Sequence, residues 1–184
     1  MRVISGKLKG KKIDFLKNFT TRPLKDSVKE NIFNVLTHSN LIKIQVEGSN
    51  ILDLYSGIGS FGIECLSRGA NEVTFVERDL KTIKILKKNL DKLSLTKQSI
   101  LINNKVENIF NKTKKFDIFF LDPPFLDKGF IKNLYFIKKN SFFEKEHLVI
   151  IHREKKSIDD INQYLDVLLT KIYGRSKIIF GTFN

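Results

Sequence analysis

The sequence predicts an α/β fold with a largely parallel sheet and helices on both faces. Three observations lead there. Short apolar runs alternate with amphipathic segments from residue 51 onward, a glycine-rich loop joins the first run to the first such segment, and a Pro-Pro pair stops a later run abruptly. Parallel neighbours need crossover connections of a dozen or more residues, and the alternation supplies them.

Residues 51–54 read as a short strand, 60–68 as a helix stopped at Gly69, and 72–76 as a second strand. Residues 80–93 place Ile83, Leu86, Leu90 and Leu93 on one helical face, ahead of a third strand at 100–102. A strand at 116–121 runs into Asp122-Pro123-Pro124. A helix at 130–139, a strand at 148–151 and a pair at 167–173 and 177–180 follow. That last pair, joined at Gly174, should add an antiparallel hairpin edge.

Before this core, residues 2–5 and 11–15 flank Gly6 to Gly10 as a β-hairpin with a basic turn. Val28, Ile32, Val35 and Leu36 recur at helical spacing over 26–37, with Asp26 or Ser27 near the start. One domain is expected over 1–184, with 1–40 as a basic appendage and 51–184 as the core. There are no internal repeats and no low-complexity linker.

Composition narrows the function classes. With 41% hydrophobic residues in 184, the chain can bury a substantial core. No run approaches the ~20 apolar residues of a membrane span, and no cleavable leader is visible, so a soluble cytoplasmic protein is expected. The single cysteine, Cys65, reads as a buried apolar residue. The net charge of +13 favours a polyanionic partner. Abundant Lys, Ile and Asn would also follow from AT-rich codon usage. Against that, eight of the 33 basic residues but one of the 20 acids fall in the first 25 positions. Lys7, Lys9, Lys11, Lys12 and Arg22 are therefore candidate nucleic-acid contacts.

The loop Asp53-Leu54-Tyr55-Ser56-Gly57-Ile58-Gly59-Ser60-Phe61-Gly62 has the spacing G-x-G-x-x-G, with Glu77 twenty residues after Gly57. Glycine permits positive φ and lets a ligand approach the backbone beside a helix N-terminus. Two cofactors fit that spacing. A nicotinamide dinucleotide would place its pyrophosphate against Asp53, where a negative charge is unwelcome. S-adenosyl-L-methionine carries an ammonium and a sulfonium that an acid can face, and Glu77 can accept its ribose hydroxyls.

Asp122-Pro123-Pro124-Phe125 ends a strand with two residues that donate no hydrogen bond, leaving the Asp122 carboxylate and the Pro123 carbonyl as acceptors. Such acceptors can hold both hydrogens of an exocyclic amine, aim its lone pair, and stabilise the positive charge that develops on nitrogen. Phe125 can stack on a base. The tetrapeptide alone leaves DNA, RNA or a protein amide open. An adenine N6 methyltransferase of DNA, a non-catalytic RNA-binding assembly factor and a nicotinamide oxidoreductase remain alternatives at this point.

Together these segments resemble the bacterial 16S ribosomal RNA guanine-N2 methyltransferases of the RsmD type. The blocks that carry the resemblance are 2–13 (RVISGKLKGKKI), 21–36 (TRPLKDSVKENIFNVL), 53–62, 66–70 (LSRGA), 75–79 (FVERD) and 121–125 (LDPPF). The resemblance implies a class I methyltransferase fold, with a mostly parallel seven-stranded sheet and an N-terminal hairpin. It further implies methylation of one guanine N2 amine in 16S rRNA, free or in a small-subunit assembly intermediate; no metal is expected, and the small size and compact sheet make a monomer the default. On this resemblance Asp53, Tyr55, Gly57 and Gly59 line the methionine end of the cofactor, Glu77 holds the ribose and the Val106 amide meets the adenine. Asp122, Pro123, Pro124 and Phe125 hold the guanine, while the hairpin lysines and Arg22 face RNA. Arg22 is equally placed to support the cofactor loop. Two departures stand out: Asn104-Lys105-Val106 replaces an acid and small residue that meet the adenine, and His152 stands where an acid is usual. His152 is read first as a surface histidine at a strand end, with a pH-sensitive contact near the base as the alternative.

Overall fold

The computed structural model describes residues 1–15, 24–104 and 114–184. Arg22, Lys105 and Val106 lie outside the described residues. Seven strands form one sheet in the order β3-β2-β1-β4-β5-β7-β6. These are β1 (Asn50–Leu54), β2 (Glu72–Val76), β3 (Ser99–Ile102), β4 (Phe116–Leu121), β5 (Phe143–Glu154), β6 (Leu165–Tyr173) and β7 (Ser176–Phe183). The first five run parallel to one another, and β7 enters antiparallel between β5 and β6. The sheet is thus mostly parallel, and its C-terminal hairpin closes one edge as expected.

Helices α1 (Asp26–His38), α2 (Ser60–Ser67) and α3 (Leu80–Lys92) cover one face, and α4 (Phe130–Lys139) covers the other. The central strands are buried on both sides, which is why they read as unbroken apolar runs. Ile51, Phe75, Ile118, Phe120 and Ile150 face the first three helices; Leu52, Leu54, Phe119, Leu121 and Val149 face Phe130, Leu134 and Ile137 of α4. Every residue of α2 is buried. The Phe61 ring lies 3.9 Å from that of Phe120 and 5.3 Å from that of Phe33, so a stacked column ties α1 and α2 to β4. Gly62 allows the close approach of α2: a Cβ there would fall 2.3 Å from the Phe75 ring.

The N-terminal hairpin departs from two regular strands. Its one bridge pairs Arg2 with Lys12, flanked by Val3 N to Lys11 O at 2.9 Å and Ile13 N to Met1 O at 3.1 Å. The missing ladder has a physical cause: the Ile4 and Ser5 amides donate instead to the Glu64 carboxylate of α2, at 2.8 and 2.9 Å. Its turn docks on the C-terminus of α2, where Lys7 N donates to Ser67 O at 2.8 Å and Leu8 N to Ser67 Oγ at 3.0 Å. Val3 and Ile13 are buried with Ile32 and Phe33 in the same core cluster as α2 and α3. β5 also runs longer than residues 148–151, because both flanks pair with neighbours: Phe143 with Phe116, and His152 to Glu154 with β7.

Candidate active site

The strand order reverses direction between β1 and β4, and ligands of open α/β sheets bind beyond the carboxyl ends of the strands at such a point. Leu54 pairs with Leu121, and the Asp122 amide reaches the Leu54 carbonyl at 3.4 Å. The glycine loop and the tetrapeptide therefore leave adjacent strands side by side, as the sequence predicts.

The loop is shaped by backbone conformations that favour glycine. Gly57 and Gly59 have φ of 55° and 86°, and Tyr55 is held at 60°, an uncommon state for a residue with a side chain. A Cβ at Gly59 would strike Leu86 at 2.4 Å, whereas one at Gly57 would meet nothing within 4 Å. Gly59 thus fits the loop to α3, and the Cβ side of Gly57 is open. The Tyr55 hydroxyl accepts from Asn133 Nδ2 at 2.7 Å, which links the loop to α4.

Three acids surround this space. Asp53 is 1% exposed; its Oδ2 accepts from Gly62 N at 3.0 Å, and its Oδ1 is buried with no hydrogen-bond partner among the described residues. Glu77 follows β2 and accepts from Gly57 N at 2.9 Å and Asp79 N at 2.8 Å. Burial pushes the Asp53 carboxyl well above the usual carboxylate range; the Gly62 amide opposes this, and Asp122 and Glu77 raise it further. A buried, half-bonded acid facing two others suits a cationic ligand and repels a pyrophosphate. The same burial costs the ligand-free protein stability. Asp53 binds its proton more tightly folded than unfolded, so stability falls as pH rises from about 3.8, the ordinary carboxyl value, through the raised folded value. Asp53→Asn should therefore melt above wild type at pH 8 without ligand, the gap closing toward pH 4. Thermal melts across that range check this, and a variant less stable at pH 8 would refute it.

The tetrapeptide is set by two consecutive residues of β5 whose side chains leave opposite faces of the strand. His152 Nδ1 lies 2.8 Å from Asp122 Oδ1, and Nε2 lies 2.9 Å from Ser176 Oγ. The Phe125 ring stands edge-on to the imidazole, 5.5 Å away. His152 is 7% exposed, so the reading of a surface histidine is wrong: β7 pairs beside β5 and covers it. Arg153, 1% exposed, donates to Pro124 O and Phe125 O, both at 3.0 Å, and pairs with buried Asp159 at 3.0 and 3.1 Å. Pro123 O accepts no hydrogen bond among the described residues.

Sequence reasoning missed Arg153, Asp159, Asn133 and the pair Lys29 and Glu64. A signal existed for some of them: Arg153 directly extends the apolar run 148–151 by way of His152, and Glu64 interrupts an otherwise apolar helix. The structure also locates the hairpin lysines relative to the tetrapeptide. Lys7, Lys9, Lys11 and Lys12 are exposed, but the hairpin turn sits at the C-terminus of α2 and Lys7 Nζ reaches Gln98, just before β3. That is the amino-terminal end of the strands, opposite the tetrapeptide. The hairpin's open end returns toward the site, where Asp14 N donates to Asn89 Oδ1 at 2.9 Å and Asn89 Nδ2 to Ile58 O at 3.3 Å.

A seven-stranded sheet of this order, with an acid-lined glycine loop facing an Asp-Pro-Pro corner, is the fold of the class I methyltransferases. A solved Escherichia coli structure described as a candidate methyltransferase superposes with a TM-score of 0.84 at 24% identity, covering 100% of this chain and 98% of that one. A Bacillus subtilis protein described as a candidate rRNA methyltransferase is 36% identical over 85% of this chain and 84% of its own length. The ribosomal RNA small subunit methyltransferase D of Buchnera aphidicola from Acyrthosiphon pisum is 33% identical over 91% and 93%. The family model described as conserved hypothetical protein 95 matches residues 1–182. The chain belongs to this family, the RsmD type.

Proposed function

We propose that the protein transfers a methyl group from S-adenosylmethionine to the exocyclic N2 amine of a guanine in 16S ribosomal RNA, acting as a monomer in the cytoplasm. One observation carries the reading: Asp122 Oδ2 and the Pro123 carbonyl stand as acceptors beside an acid-lined glycine loop, across the switch between β1 and β4. Ribosomal RNA as substrate is supported by the names of the relatives; the guanine amine rests on the resemblance of the motif blocks.

S-adenosylmethionine supplies, when bound, a sulfonium methyl group. The unpartnered Asp53 Oδ1 is suited to its cationic methionine end, with Tyr55, Gly57 and Gly59 around it. Glu77 uses one lone pair of each oxygen on a backbone amide, and the second pair of each can accept a ribose hydroxyl. The Val106 amide is proposed to meet the adenine. On the substrate side, Asp122 and Pro123 orient the amine, Pro124 holds the corner extended and Phe125 packs against the base. Lys7, Lys9, Lys11 and Lys12 would contact RNA remote from the target base, and Arg22 is proposed as a further RNA contact.

The test is transfer of labelled methyl to 16S RNA, naked and in small subunits, from cells lacking the gene. Digestion should yield N2-methylguanosine in at least one substrate. Label in N6-methyladenosine, or no label in RNA, overturns the reading.

A further inference from the structure

We propose that His152 is a positioning residue for Asp122, itself held in one orientation and tautomer by Ser176. The inference rests on the amine-methylating role of the tetrapeptide and goes beyond it by assigning a group outside that motif.

The geometry is a chain of three side chains from three strand ends. Asp122 follows β4, His152 lies near the end of β5 and Ser176 opens β7. The two contacts, 2.8 Å from Nδ1 to Asp122 Oδ1 and 2.9 Å from Nε2 to Ser176 Oγ, are both of hydrogen-bond length. A carboxylate only accepts, so Nδ1 carries the hydrogen and Nε2 accepts from the serine hydroxyl, which can rotate to donate. The Phe125 edge and the β7 backbone leave the ring little freedom to turn. The charged groups around it are Asp122 itself, with Asp53 behind it at the end of β1. Arg175, adjacent to Ser176, is engaged by Glu154 at 2.9 Å, and Arg153 leaves the other face of β5.

This arrangement divides the acceptors of the corner. Arg153 takes the Pro124 and Phe125 carbonyls, and His152 takes Asp122 Oδ1. Among the described residues Oδ2 and the Pro123 carbonyl are left, two acceptors for the two hydrogens of one amine. Without His152 the carboxylate can rotate about its Cβ–Cγ bond and lose the plane in which both acceptors converge. The amine would then bind with its lone pair misaimed, which affects kcat more than substrate binding.

The imidazole can be dissected because asparagine places a donor near the position of Nδ1 and glutamine near that of Nε2. His152→Leu should lower kcat for methylation of the RNA substrate by about 10- to 100-fold, the loss expected from a hydrogen bond to a charged group. KM for RNA should change by less than about threefold. His152→Asn should recover most of the rate, and His152→Gln should stay near the leucine variant. The proposal is overturned if asparagine and glutamine behave alike, if all three match wild type, or if the rate loss follows a fall in melting temperature.

A second measurement does not depend on the substrate. The chain has three histidines, so the 15N shifts of His152 can be assigned by difference. They should show the Nδ1–H tautomer in the resting protein, and Asp122→Ala should abolish that preference. If the tautomer is held but wild type methylates no RNA, the functional reading fails while the His152 geometry stands. If the Nε2–H tautomer is found, the positioning role fails whatever the activity.

Discussion

Replacing Asp122 by alanine is expected to slow methyl transfer by about 10²- to 10³-fold, the range seen when one preorganised electrostatic contact to a reacting centre is removed. The effect is local. The carboxylate is the only charged acceptor of the corner, and the positive charge on the attacking nitrogen develops within its reach. Affinity for the methyl donor should change little, because the Asp122 carboxylate is held by His152 and makes no hydrogen bond to the glycine loop among the described residues. Asparagine at the same position keeps one acceptor and lacks the charge, so its rate should fall between alanine and wild type. Single-turnover transfer with saturating donor, alongside calorimetry of donor binding, separates these effects. An alanine variant within a few-fold of wild type would remove Asp122 from the chemistry and shift the amine to some other acceptor.

The sequence was most legible where a local rule and the global fold agree. Glycines at 57, 59 and 62, an acid at each strand end and a proline pair after an apolar run are dictated by short-range geometry, so their positions predict the crevice directly. α4 matches the expected residues 130–139, and the strands before it fall within one residue of expectation, because each is bounded by a sharp change of polarity. The hairpin was less legible. Its backbone amides are bonded by a side chain sixty residues away, and no pattern within residues 1–15 announces that. His152 and Arg153 were misread or missed for a related reason. A polar residue that ends an apolar run looks like the point where a strand meets solvent, unless one knows that β7 will lie beside it. The insertion of β7 between β5 and β6 buries both residues and turns a strand terminus into the wall of the site.

That long-range logic is clearest at Glu64, where the largest loss of stability is expected. Its side chain is fully buried and gathers donors from three elements. The Ile4 and Ser5 amides come from the hairpin at 2.8 and 2.9 Å, Arg68 Nε from beyond α2 at 3.0 Å, and Lys29 Nζ from α1 at 3.5 Å. Lys29, also fully buried, donates in addition to Arg2 O at 3.0 Å and to Ser60 Oγ at 3.3 Å, and burial lowers its pKa. Removing Glu64 leaves the buried Lys29 charge with Asp26 alone, 3.9 Å away, and strands two amides, so Glu64→Ala should cost about 3–5 kcal/mol. That is a large share of the roughly 5–15 kcal/mol a domain possesses, and it corresponds to a melting point lower by roughly 6–20 °C at this chain length. Lys29→Met should cost less, since Glu64 retains Arg68 and two amides. The double change Lys29→Met with Glu64→Ala should cost less than the sum of the two, because it removes both buried charges and strands only the two hairpin amides and the partly exposed Arg68. Urea unfolding of the four proteins gives this cycle. A Glu64→Ala loss below about 1 kcal/mol, or strict additivity, would mean that the hairpin and α1 are held by their apolar residues alone. With the predicted coupling, Glu64 is what fastens the basic N-terminus to the helix that begins at the glycine loop.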